Sequence, residues 1–271
     1  MPIAPPVHLS IPGFDVDLQL QVHDSRDQII SRRLRETGIW EAYETQLTLA
    51  LLKEGDVFVD VGANLGYFTV LAAARVGERG RVFAFEPDPD NYTLLVNNVA
   101  LNGLDTRVSL VQAALAEHDG QGTLFLSDHN LGDHQVFDAT GTRCSVPVSL
   151  LNGSDYLAAR CDGVNLLKID TQGSEHAVMT GLLPFLTRLE QTPQVIIELT
   201  PLSLRQAGTS GRALIECLAS LDQPFWIIDH IEHELAASNA EALAVWCDNV
   251  DGCTGDEGFM NILVGQGINS G

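Results

Sequence analysis

The sequence is short of positive charge: 15 Lys and Arg stand against 36 Asp and Glu in 271 residues, a formal net charge of −21. Phosphate backbones are held by basic stripes, and none is visible, so neither a nucleic-acid partner nor an anionic membrane surface is expected. No apolar run reaches the ~20 residues that a membrane-crossing helix needs. Cysteine is sparse and odd in number (Cys144, Cys161, Cys217, Cys247, Cys253), with no C-x-x-C and no secretory leader. Free thiols in a reducing, cytoplasmic setting are the simplest expectation. Cys247 and Cys253 lie in an acidic stretch with Asp248, Asp251 and Asp256. Two thiols six apart with no nearby histidine make a poor zinc site, so no metal is expected. Internal repeats and low-complexity tracts are also missing. What is present is a 45% hydrophobic composition, enough for a substantial core.

The G-x-G-x-x-G fingerprint of dinucleotide sites is absent as well. In its place stands Val57-Phe58-Val59-Asp60-Val61-Gly62-Ala63-Asn64-Leu65-Gly66-Tyr67-Phe68-Thr69. An apolar, β-branched run, then an acid, a glycine turn and a helix start read as buried strand, tight loop and helix. The glycines are Gly62 and Gly66, with Asn64 where a middle glycine would stand. Asp60 at the strand end would repel a pyrophosphate and attract an ammonium or sulfonium. S-adenosylmethionine carries both cations and no phosphate. A second short strand, Arg81 to Phe85, ends in Glu86-Pro87 about 20 residues on, where an acid accepts hydrogen bonds from ribose hydroxyls. Glu86 suits NAD and S-adenosylmethionine alike; Asp60 favours the second. A nicotinamide-dependent oxidoreductase would explain Gly62, Gly66 and Glu86 but leave Asp60 without a role.

A third motif, Leu167-Lys168-Ile169-Asp170-Thr171-Gln172-Gly173-Ser174-Glu175, completes a pattern. With Asp60 to Tyr67 and Glu86-Pro87, it resembles the FkbM-type S-adenosylmethionine-dependent methyltransferases, from about Glu44 to the C-terminus. The resemblance implies an α/β, doubly wound, mostly parallel seven-stranded sheet (class I methyltransferase, Rossmann-like), its last strand antiparallel. It also implies cofactor contacts at Asp60, Gly62, Asn64, Gly66, Phe68, Glu86 and Pro87, and adenine packing at Ala113 and Ala114. Glu44 matches an acid preceding the glycine motif in the family; a surface helix acid is the other reading, and the two stay open.

Along the chain, residues 1–13 carry four prolines and read as loose or edge-paired. Phe14 to Val22 alternates polar and apolar residues and reads as a strand with one buried face. Helices are expected over 27–36 and 40–53. Residues 1–53 thus form an N-terminal strand/helix cap, and 54–271 the methyltransferase unit. The strict βαβα rhythm to residue 111 demands parallel strands with right-handed crossovers. Ligands in such sheets bind beyond the carboxyl ends of the strands, where every motif above lies. Residues 116–150 break the rhythm with short strands at 122–126 and 144–148. Between them, the polar loop 128–135 reads as an active-site edge. Residues 230–257 are expected to help cover the substrate mouth.

The expected reaction is methylation of a hydroxyl on a small molecule (a natural product or a sugar). A hydroxyl with pKa far above 7 needs a base. His134 is the first candidate, because an unperturbed imidazole is partly neutral at pH 7. Asp170 is second, if burial raises its pKa, and Glu198 third. Asn130 and Asp133 could assist with the hydroxyl. Lys168 and Asp170 share one strand face, either as a structural ion pair or with Asp170 facing the methyl donor; the second reading is preferred. The partner is a hydroxylated small molecule, and a homodimer is compatible with the sequence. A non-catalytic S-adenosylmethionine-binding module would leave the 128–135 loop and the Lys168/Asp170 pair without work.

Overall fold

The computed structural model describes residues 5–24, 27–127, 134–135, 141, 143–253 and 255–268. The N-terminal segment contains β1 (Val7–His8), β2 (Gln19–Leu20), α1 (Ile30–Thr37) and α2 (Ala42–Leu51). A βαβαβ run follows: β3 (Val57–Val61), α3 (Tyr67–Val76), β4 (Arg81–Phe85), α4 (Pro89–Leu101) and β5 (Val108–Val111). Then come β6 (Ala114–Ala116), β7 (Gly120–Phe125), β8 (Ser145–Asn152), α5 (Gly153–Ala158), β9 (Leu166–Ile169) and α6 (Glu175–Leu186). The rest is β10 (Gln194–Leu199), α7 (Pro201–Gln206), α8 (Gly211–Ala219), β11 (Phe225–Asp229), β12 (Glu234–Ser238), α9 (Ala240–Gly252) and β13 (Met260–Val264).

The main sheet runs β12-β11-β13-β10-β9-β3-β4-β5 among the described residues. Strands β10, β9, β3, β4 and β5 pair in parallel, and β13 is antiparallel to both its neighbours. The doubly wound, mostly parallel architecture expected from the sequence is thus present, with one difference. The sheet has eight strands rather than seven, because Glu234–Ser238 pairs antiparallel along Phe225–Asp229 and extends the edge.

Alternation within β3 explains the layers. Phe58 belongs to the core packed with α2, α3 and α4, through Leu47, Leu71 and Leu95. Val59 and Val61 belong to the opposite core, with Val178, Leu182, Leu214 and Leu243 of α6, α8 and α9. Period-2 burial on both faces is what a sheet covered by helices on each side requires. The turn of strand order lies between β3 and β9, so the carboxyl ends of these two strands flank the natural ligand crevice.

Two stretches depart from the sequence expectations. Phe14 to Val22 forms only a two-residue strand. Its main chain is instead bonded by side-chain amides of α4: Gln19 N–H donates to Asn102 Oδ1 (2.9 Å) and Gln21 N–H to Asn98 Oδ1 (2.6 Å). The same amides donate back to Gln19 O and Gln21 O. Two asparagines one helical turn apart thus bond the edge of β2 that faces away from its partner β1. The short strands near 122–126 and 144–148 form a separate three-stranded sheet, β6-β8-β7. Within 230–257, α9 packs on α8 and α7, and the His233 ring stacks on Tyr43 of α2. Among the described residues no helix is long and apolar enough to cross a membrane.

The small sheet joins the main body at Gly181 of α6, where an added Cβ would lie 2.2 Å from the Ala116 carbonyl oxygen. Gly181→Ala is expected to lower unfolding stability by roughly 1–3 kcal/mol through overpacking against rigid backbone. Urea denaturation checks this; an unchanged midpoint would show that the contact yields freely.

Candidate active site

The site grows from strand register. Asp60 of β3 is aligned with Lys168 of β9, so their side chains share a face with Phe58. Lys168 is aligned with Ile196 of β10, which puts Glu198 on the same face one alternation further on. Glu198 is in turn opposite Asn261 of β13. The face covered by α2 and α3 therefore changes from apolar to polar towards the carboxyl ends of the strands.

Lys168 is 4% exposed and is the cation of this layer. Its Nζ lies 3.1 Å from Asp170 Oδ2, 3.6 Å from Glu44 Oε1 and 4.5 Å from the centre of the Phe68 ring. Burial alone would lower the ammonium's pKa. The charges of Asp170, Glu44, Glu41 and Asp60 overcome that and hold it above the ordinary value. Asp60 is pushed up to about 6 by burial, opposed by the Lys168 charge and a 2.5 Å hydrogen bond donated by Thr69 Oγ1.

Two clefts open from this layer. The first encloses about 550 Å³ and includes Val61, Glu86, Pro87, Ala113, Ala114 and His134. Glu86 accepts hydrogen bonds on both oxygens, from Asn64 N–H (2.7 Å) and Asp88 N–H (2.8 Å). Those bonds aim the carboxyl, while burial raises its pKa to about 8. The second cleft encloses about 1200 Å³ and includes Trp40, Glu41, Asp60, Phe68, Lys168, Glu198 and Phe259. Gly62, Asn64, Asp170 and Gln172 line both, so the clefts meet at the carboxyl ends of β3 and β9. The junction is tight: Gly62 has φ +82°, and an added Cβ would lie 1.9 Å from the Asp170 carbonyl oxygen.

The loop after β9 is shaped by Glu175, which is fully buried. It accepts from Thr171 N–H, Thr171 Oγ1 and Gly173 N–H. This leaves Gln172 in a left-handed conformation, φ 54°. Its Nε2 donates to Asp170 Oδ1 (2.8 Å) and to Glu198 Oε2 (2.9 Å), bridging two carboxylates. Burial holds the Glu198 pKa well above the ordinary carboxyl range, with the charges of Asp170 and Glu175 adding to it.

The structure thus brings together Asp60, Gly62, Asn64, Phe68, Glu86, Pro87, Ala113, Ala114, His134, Lys168, Asp170 and Glu198 around two joined clefts. It does not bring Gly66 or Glu44 to either lining. Gly66 caps α3, where an added Cβ would meet Leu95 of α4 at 2.7 Å, so it serves helix packing. Glu44 is neither a surface acid nor a wall of the clefts. It is fully buried and accepts 2.6 Å from Asn261 Nδ2 beneath Lys168. His134 Nδ1 accepts from Ser127 N–H at 3.0 Å. A neutral ring then carries its proton on Nε2 and is a donor there, which weakens its standing as a base. Asn130 and Asp133 lie outside the described residues. Sequence reasoning missed Glu41, Gln172 and Glu175 as working parts. The only local signal was the Thr171-to-Glu175 spacing, which places a carboxyl over the loop's own N–H groups.

The linings fit S-adenosylmethionine. Glu86 offers acceptor lone pairs where ribose hydroxyls would donate, and Val61, Ala113, Ala114 and Val178 offer flat apolar contact to adenine. Among the described lining residues a pyrophosphate finds no free lysine or arginine: Lys168 is already held by Asp170 and Glu44.

Two outcomes follow for stability. Lys168→Met is expected to cost about 3–5 kcal/mol at pH 8, because it leaves buried carboxylates uncompensated. The loss shrinks at pH 5, below the value of about 6 to which burial pushes Asp60. Glu86 has a folded pKa of about 8, above its unfolded value. The native state therefore binds the extra proton, and this residue's contribution to stability falls as pH rises from about 5 to about 8. Glu86→Gln lacks that penalty, so its stability relative to wild type should rise across the same window. Denaturant unfolding at several pH values reads both.

The Methyltransferase FkbM domain profile matches residues 60–224. Methyltransferase sdnD of Sordaria araneosa is 29% identical over 164 residues, 49% of this chain and 63% of that protein. Hexuronic acid methyltransferase AglP of Haloferax volcanii is 26% identical over 156 residues, 57% of this chain and 60% of that protein. The chain thus spans about three-fifths of the length of these curated relatives. Among solved structures, Aeropyrum pernix fibrillarin with bound S-adenosyl-L-methionine aligns with TM-score 0.46 and 14% identity, over 83% of this chain and 76% of that one. The profile match covers most of the chain, including Asp60, Glu86, Lys168 and Asp170, and the chain belongs to the FkbM methyltransferase domain family, whose cofactor is S-adenosylmethionine.

Proposed function

We propose that the protein is an S-adenosylmethionine-dependent O-methyltransferase acting on a hydroxyl of a small molecule. The observation that carries the reading is the joined pair of clefts, one with a ribose-suited carboxyl and the other with carboxyls of raised pKa. When bound, the cofactor supplies an electrophilic methyl group on its sulfonium. The chain's own residues do the rest. Glu86 and Asn64 orient the nucleoside, and Asp60 and Asp170 supply negative charge at the junction. Glu198 receives the acceptor's hydroxyl proton: its raised pKa brings it nearer the neutral range in which a base is effective. Gln172 holds Glu198 and Asp170 in register. Phe259, 65% exposed, and Trp40 give the outer cleft apolar walls that exclude water from a seated acceptor. The relative that acts on hexuronic acid, a hydroxylated small molecule, supports this substrate class.

Calorimetric titration should show binding of S-adenosylhomocysteine and none of NAD. The reverse result would favour the oxidoreductase reading and sink this one. With an acceptor found by screening hydroxylated compounds against labelled cofactor, Glu198→Gln should lower kcat by about 10²–10⁴-fold. His134→Ala should change it by less than about tenfold, because a ring that donates through Nε2 is no base. Comparable losses in both variants would return His134 to the chemistry.

A further inference from the structure

The carboxylate at Glu41 is left with unmet bonding capacity. This residue lines the larger cleft, and its Oε2 is buried without a hydrogen-bond partner. A buried acceptor in that state costs free energy until a donor arrives. The other acids of that lining are engaged: Asp60 by Thr69, Asp170 by Lys168 and Gln172, Glu198 by Gln172. Glu44, three residues on, turns into the core and does not reach the cleft.

The backbone at Glu41 is held for this purpose. It takes the left-handed conformation, φ 40° and ψ 66°, uncommon for a residue with a side chain. Three bonds fix the turn: Trp40 N–H to Tyr67 Oη (3.2 Å), Thr45 Oγ1 to Trp40 O (2.7 Å) and Thr45 N–H to Glu41 O (2.8 Å). Outliers so determined by their surroundings gather at ligand sites. Burial and the neighbouring Glu44 charge raise the Glu41 pKa well above the ordinary range, opposed by Lys168 and a hydrogen bond from Trp40. A cationic donor is what would offset that cost.

We infer that Glu41 is the counter-charge for the α-ammonium of the cofactor's amino-acid end, an assignment that rests on the methyltransferase reading. A ligand whose ribose meets Glu86 in the smaller cleft and passes the shared residues Gly62, Asn64, Asp170 and Gln172 brings its tail into the larger one. The lining there holds no free cation among the described residues, and Glu41 Oε2 is the carboxylate oxygen awaiting a donor. Tyr67 and Phe68, in the first turn of α3, line the same cleft. First-turn N–H groups lack intrahelical partners and suit the tail's carboxylate.

The test compares three ligands by calorimetry: S-adenosylhomocysteine, its analogue lacking only the α-amino group, and 5′-methylthioadenosine, which lacks the whole amino-acid end. Wild type should bind the deaminated analogue at least tenfold more weakly than S-adenosylhomocysteine. Glu41→Gln should weaken S-adenosylhomocysteine by a similar factor, leave 5′-methylthioadenosine within twofold, and no longer distinguish the amine from its deaminated form. Equal binding of amine and deaminated ligands by wild type would overturn the assignment, whatever the variant does, and would place Glu41 on the acceptor. Parallel losses for all three ligands in Glu41→Gln would also overturn it, indicating a structural role. If wild type bound neither S-adenosylhomocysteine nor 5′-methylthioadenosine, the methyltransferase reading itself would fall.

Discussion

One buried ammonium organises the acids of this protein. Lys168 stands in the centre of a parallel sheet, where an unpaired charge would be prohibitive. It is tolerated because Asp170 and Glu44 lie within 3.6 Å and the Phe68 ring lies under it. The converse matters as much. Glu41, Glu44, Asp60 and Asp170 all act on this one cation, whose charge offsets part of the burial cost of Asp60 and Glu41. Strand register does the positioning, by aligning Asp60 with Lys168 across β3 and β9.

From that layer the two clefts take different characters. The inner wall of the smaller one is apolar strand-end and small side chains, with one carboxyl aimed by two backbone N–H groups. The larger is carboxylate-rich, with aromatic residues at its rim. A cationic cofactor and an uncharged hydroxyl acceptor match this division. The net charge of −21 acts in the same direction at longer range, since it repels polyanions.

Much of this was legible in the residue order. Val57 to Tyr67, Arg81 to Pro87 and Leu167 to Glu175 carry local signals: apolar strand, acid at the strand end, turn, helix start. Their elements lie close to where the pattern puts them. Other features were not legible there. Phe14 to Val22 alternates like a strand, yet only Gln19–Leu20 pairs with a strand, and Asn98 and Asn102 take up the main chain of Gln19 and Gln21 on the other side; alternation does not say who the partner is. Gly66 reads as a ligand glycine, and residue order does not show that its missing side chain also makes room for Leu95. His134 is the first base candidate by residue type, and residue order does not show that Ser127 N–H takes its Nδ1.

By itself, the sequence determined the alternation of strands and helices, the acids at strand ends and the cofactor class they suit. These follow from periodicities of two and 3.6 residues and from spacings within one βα unit, all of them local. Only the tertiary structure decided which acid is consumed in the core and which is left facing the cleft. Glu44 is met by Asn261, 217 residues away, and by Lys168, while Glu41, a turn earlier, keeps one oxygen, Oε2, without a hydrogen-bond partner. Sequence cannot show that division, because a carboxylate's role is set by the donors that reach it, and here those donors arrive from strands distant in the chain.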